Sequence, residues 1–188
     1  MEDKLKRVTT TTGAETFIKT GEARSATVYQ SSLSRYFIGR TDIFPVPAGH
    51  EGIVIFQNPT TSQRRLFFKI VTISATQSRR YFFLFDTVVS IPLITSRIMA
   101  NAHRGAPNTP KALIQFGTAE QVFVPEPDEL FERLIPGGQT VEIDQDGKFI
   151  LEPGHNHAIK FESTTAPDQL DFAFGWWEEP LRRRKRTV

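Results

Sequence analysis

The chain has 188 residues, enough for one ordinary domain with a sizeable core. It contains no cysteine, which excludes a disulfide framework, a zinc–thiolate centre and a cysteine nucleophile. Net charge is +2, but Arg182, Arg183, Arg184, Lys185 and Arg186 supply five positive charges; taking those five from +2 leaves the rest of the chain at −3, without the basic surface a nucleic-acid binder needs.

Residues 1–25 read as an N-terminal arm: a threonine run from Thr9 to Thr12, two glycines, scattered charges, and only Phe17 and Ile18 to anchor it. The N-terminus lacks the apolar stretch of a signal peptide, and no apolar run reaches the roughly 20 residues of a membrane span. No membrane partner is therefore expected, and any release from a cell would be by lysis or a non-standard route.

From residue 26 strand signals follow closely. Residues 26–30, including Val28 and Tyr29, read as a short strand, then 36–40, 52–57, 64–75, 81–90, 112–116 and 121–124. Residues 101–110 read as a loop. Asp128 is a good N-cap for a two-turn helix over 128–134, stopped by Pro136-Gly137-Gly138. Residues 140–144 and 148–152 flank Asp146-Gly147 and read as a hairpin. Strands at 157–162 and 170–177 complete the set, with Leu170, Phe172 and Phe174 on one face. Sixteen phenylalanines against two methionines fit a pleated core. The expected fold is all-β: a jelly-roll-like sandwich of about eight to ten antiparallel strands over residues 26–180, with the extended arm before it and a basic tail over 181–188.

Chemistry is thin. His155 and His157 stand two apart, followed by Glu162, a weak metal set that echoes the first cupin motif; no histidine follows residue 157 to complete it, and an exposed turn after Pro153-Gly154 is the favoured reading. There is no Gly-x-Ser-x-Gly elbow and no glycine-rich phosphate loop. No catalytic residue and no cofactor is expected, and the chain reads as non-enzymatic. Trp176 and Trp177 are neighbours on a strand, so one is expected in the core and the other, taken as Trp177, outward at an interface or sugar surface.

Tyr36-Phe37-Ile38-Gly39, the strand ending in Asn58-Pro59, the run from Lys69 to Ser74, Leu151-Glu152-Pro153-Gly154 and the closing Phe174-Gly175-Trp176-Trp177-Glu178-Glu179 resemble an uncharacterised family of small β-sandwich proteins of spore-forming Gram-positive bacteria, similar to endospore appendage subunits. The resemblance implies a structural subunit on a spore or cell surface. It would assemble with copies of itself, a trimer stacking into a filament being the expected arrangement, and with other surface proteins or an anchor. The arm would dock by strand complementation through Phe17, Ile18, Val28, Tyr29 and Trp177. A carbohydrate- or receptor-binding module of a phage or spore surface, and a cupin-like metalloenzyme, stand as alternatives.

Overall fold

The computed structural model describes residues 6–9, 15–19, 22–122, 124 and 128–181. In chain order the elements are β1 (Lys6–Thr9), β2 (Glu15–Lys19), β3 (Glu22–Ser25), α1 (Ala26–Ser32), β4 (Tyr36–Arg40), β5 (Phe44–Val46), β6 (Glu51–Gln57), β7 (Arg64–Ala75), β8 (Arg79–Phe85), β9 (Ile94–Thr95), β10 (Ile98–Asn101), β11 (Leu113–Ala119), β12 (Asp128–Ile135), β13 (Gln139–Leu151), β14 (Asn156–Phe161) and β15 (Asp168–Pro180).

Strands β4 to β15 make two antiparallel sheets packed face to face. The first runs β10–β4–β15–β7–β13, with β5 paired to the start of β15; the second runs β12–β8–β14–β6–β11–β9. Without β5 and the excursion β9–β11, the two sheets are β4–β15–β7–β13 and β12–β8–β14–β6. The chain changes sheet at every step except β8 to β12, which is the double Greek key of a jelly roll. The excursion widens both sheets at the same end, β10 against β4 and β11 against β6.

Period-2 geometry selects the core. On β15 Leu170, Phe172 and Phe174 point inward while Asp171, Ala173 and Gly175 point out. Phenylalanines fill the interior: Phe56 meets Phe68 edge-on at 5.2 Å and Trp176 at 5.1 Å, and Phe44 stacks on Phe116 at 4.7 Å. A second apolar cluster lies on the outer face of the second sheet. There Ile53, Ile55, Leu84 and Ala158 are covered by Val122, Val89, Ile91 and Leu93, so β6 is buried on both faces.

Several sequence expectations are corrected. Residues 26–30 are helical, because Ser25 caps Val28 N–H and the buried Gln30 amide donates to Glu179 on β15 at 2.8 Å, which holds the turn on the sandwich. Residues 128–134 are strand. The apolar trio Leu130, Phe131 and Leu134 mimics a helical face, but a bulge between Glu129 and Phe131 puts Phe131 on Phe83 at 4.4 Å, and pairing to the open edge of β8 outweighs local propensity. The 140–152 hairpin is one strand, β13, pairing with β7 on both sides of an insertion over residues 145–148. Asp146 and Gly147 do have positive φ, 50° and 70°, but in a bulge. Residues 121, 122 and 124 lie outside any strand. The described parts of the N-terminal arm are extended and form a separate three-stranded sheet, β1–β2–β3, which meets α1.

Candidate functional site

The residues singled out in the sequence do not gather. His155 sits in the turn before β14, and its Nδ1 faces Asp86 at 2.9 Å beside a 210 Å³ depression lined also by Ile150, Leu151 and Glu152. His157 is buried within β14, which corrects its placement in the exposed turn: the turn ends one residue before it, and its ring goes between the sheets. Its Nδ1 lies 3.2 Å from Leu84 O, and Phe68, Phe83, Phe85 and Phe149 surround it. Burial pushes its pKa down to about 4, with the Leu84 carbonyl working the other way. Glu162 lies beyond the end of β14, its carbonyl taken by Arg79 at 2.6 Å. Among the described residues no three metal-binding side chains come together.

Trp177 is also corrected. It does face away from the core occupied by Trp176, but only 5% of it is exposed, because Phe67 stacks on it at 5.2 Å and the bulge at Gly147 lies across the indole. No tryptophan is left as a sugar platform. Val28 is half exposed on α1 and Tyr29 is partly buried. Phe17 and Ile18 lie in β2, opposite Arg7 and Lys6 of β1 and Arg24 and Ala23 of β3, so β2 is paired on both sides within its own chain. Arg182, Arg183, Arg184, Lys185 and Arg186 lie outside the described residues.

Two buried carboxylates are spent on structure. Asp168 receives Arg79 Nε at 2.7 Å and Thr76 N–H and Oγ1–H at 2.8 and 2.6 Å. Burial works to raise its pKa, but the Thr76 and Arg79 hydrogen bonds hold it below the usual carboxylate value. The other Arg79 nitrogens reach Glu162 O and Thr164 Oγ1, which closes the turn between β14 and β15. Glu178, fully buried, accepts from Lys111 N–H, Ala112 N–H and Trp176 Nε1–H, so it ties the end of the excursion to β15.

What remains open is the outer face of the first sheet. The second sheet is capped by its own chain, but here the outward residues of β10, β4, β15 and β7 line an apolar groove of about 710 Å³ that is open among the described residues. Pairing fixes its plan. Ala100, Ile38, Gly175 and Ile70 form one row across the strands, and Ile98, Arg40, Ala173 and Thr72 form the next. The floor is low because β15 contributes only Ala173 and Gly175. A Cβ on Gly175 would lie 2.3 Å from Tyr36 Oη and 2.8 Å from Ile70 Cγ2, so the glycine lets both side chains close over it as walls. Ile38 is 50% exposed and Ile98 38%.

The two ends differ electrically. Near Tyr36, Lys69 is neutralised by Asp144 and Asp146 at 2.7 and 2.8 Å. Burial raises the Tyr36 pKa; Lys69 opposes this, and Asp144 and Glu142 add to it, so the phenol stays protonated. At the β10–β4 end stand Arg40 and Arg97, neither guanidinium with an ion-pair or hydrogen-bond partner among the described residues.

A family model described as a family of unknown function, DUF6143, matches residues 17–183, which takes in the last three residues of β2, all of β3 and both larger sheets. The chain belongs to the DUF6143 family. No curated protein and no solved structure matches it.

This DUF6143 groove is missing from the sequence reading for a physical reason. Outward positions of a strand carry mixed residues in any sandwich, so Ile38 or Ile70 alone signals nothing. The available signal was on residues 170–175, where every inward residue is large and the outward ones shrink from Asp171 to Ala173 to Gly175. Two successive small residues outward on a central strand make a trough.

Proposed function

We propose that this chain is a non-catalytic binding module whose open sheet face takes an apolar ligand. The reading rests on one asymmetry: the chain covers the outer apolar face of one sheet with its own residues and leaves the equivalent face of the other as a groove. Its volume falls in the roughly 300–1,000 Å³ range of small-molecule sites. The test is to fill the trough. Ala173→Phe points a ring outward over the floor, so the variant should fold with a melting temperature within a few degrees of the parent while losing binding of the neutral apolar dye Nile red. Undiminished dye binding would sink the reading.

A second reading follows the family resemblance: a structural subunit, assembling with its own copies into a fibre on a spore or cell surface. It is supported by the N-terminal sheet. Strands of four and five residues have little stability alone and need a surface to pack on, and β2 and β3 of this small sheet meet the short helix α1. A neighbouring copy would provide that surface.

A further inference from the structure

We propose that the groove on the β10–β4–β15–β7 face binds a small amphipathic anion, an aliphatic carboxylate, with its head on Arg40 and Arg97 and its tail lying across Ala173 and Gly175 toward Ile70. This rests on the groove being a binding site and adds what enters it and in which direction.

What the groove lacks narrows its ligand. Its floor strand, β15, is paired to β4 and β7 on both sides, so the floor itself offers no backbone edge to hold a peptide by strand addition. The lining offers few hydroxyls, Tyr36 and Thr72, and no exposed tryptophan; a sugar would lose most of its hydrogen bonds to water there and find no platform. An apolar body is what the floor and walls match.

Charge then fixes the head. Lys69 is already compensated by two aspartates, and Glu142, which faces Thr72, stands on β13 in the Arg40–Ala173–Thr72 row, three strands away from Arg40. Arg40 and Arg97 are the cations in the lining that have no counter-charge in contact among the described residues. They lie together: Arg40 pairs with Ile98, the residue after Arg97. A guanidinium fork suits a carboxylate, and two of them beside an apolar floor set a single polarity for the ligand. From β10 to β7 are three strand spacings, roughly 14 Å in all, a span suited to a medium-length acyl chain.

The test uses the full chain with methyl-labelled isoleucine. Decanoate, kept below its micelle concentration, and decanol are titrated separately while the Ile38, Ile70 and Ile98 methyl resonances are followed. Decanoate is expected to shift all three and to bind about tenfold more tightly than decanol, an advantage that shrinks with added salt. Arg40→Ala combined with Arg97→Ala should remove that advantage and leave decanol binding intact. Equal affinity for both ligands, or a decanoate affinity insensitive to the double substitution, overturns the anion assignment while the groove stands. If neither ligand moves these methyls, or they move with protein concentration alone because a second copy covers the face, the groove reading itself falls.

Discussion

At the scale of single residues, His157 shows how little a motif says without its surroundings. A histidine two positions from another suggests metal, yet the turn ends between them, and only His157 enters the core, where Nε2 finds no partner. The fold keeps the ring neutral, with its pKa at about 4 against 6.5 when exposed. Between those values the unfolded chain binds a proton that the folded chain excludes. Stability is therefore fully present above pH 6.5 and is lost as pH falls toward 4, by roughly 3 kcal/mol for this one group. The surrounding rings carry no titratable group that would offset it. His157→Phe should keep the ring packing and flatten this acid limb. Urea midpoints at pH 7 and pH 4.5 would show it, and equal losses in parent and variant would refute it. The residue's type was legible in the sequence, but its burial was not, because one position of turn length decides which side of the sheet it enters.

At the scale of elements, alternation made the strands legible and tertiary pairing decided the exceptions. Residues 64–75 and 170–177 read correctly because their apolar period is 2 over many residues. β12 was hidden because Leu130, Phe131 and Leu134 near an N-cap have helical spacing, and the edge of β8 overrides it through a bulge. β13 was hidden because Asp146-Gly147 is the chemistry of a turn, and it is used here for a bulge. That bulge answers a kink in β7, where Lys69 is the unpaired residue between Phe68 and Ile70, and the lysine holds it from below through Asp144 and Asp146. Gly147 completes the fit: its φ is +70°, and a Cβ there would lie 2.0 Å from the Trp177 ring. Gly147→Ala should cost about 2–4 kcal/mol from backbone strain and displacement of the indole together. In a chain of this size that lowers the melting temperature by about 5–15 °C, and Trp177 emission should shift red as water reaches it. Unchanged melting and emission would mean that the bulge does not seat the tryptophan.

At the scale of the whole molecule, the fold class was readable from strand count and composition, while the division of labour between the two faces was not. It comes from the excursion between β8 and β12, which the sequence shows only as short segments and a loop. Residues 89–93 and Val122 cap one sheet, and β10 supplies the rim of the groove on the other. The N-terminal sheet is separate from the two larger ones, and assembly is a property of this scale. The sandwich has open edges at β12 and β13. β12 turns Glu129, Glu132 and Arg133 to solvent, the charged blunting that discourages edge pairing. β13 offers thirteen residues with Glu142 and Asp144 exposed, and β1 carries Lys6 and Arg7 in sequence. Docking of the β1 edge of one copy on the β13 edge of the next would be head-to-tail and open-ended, the geometry of a filament. If this is how copies meet, the full chain sediments as oligomers that dissociate with salt, which screens the attraction between the oppositely charged strands. A chain lacking residues 2–24 retains both apolar clusters, α1 with its Ser25 cap and its Gln30–Glu179 anchor, so it should melt like the parent and sediment as a monomer. Oligomers that survive the deletion, or a full chain that is monomeric at all concentrations, would rule out the N-terminal sheet as the connector.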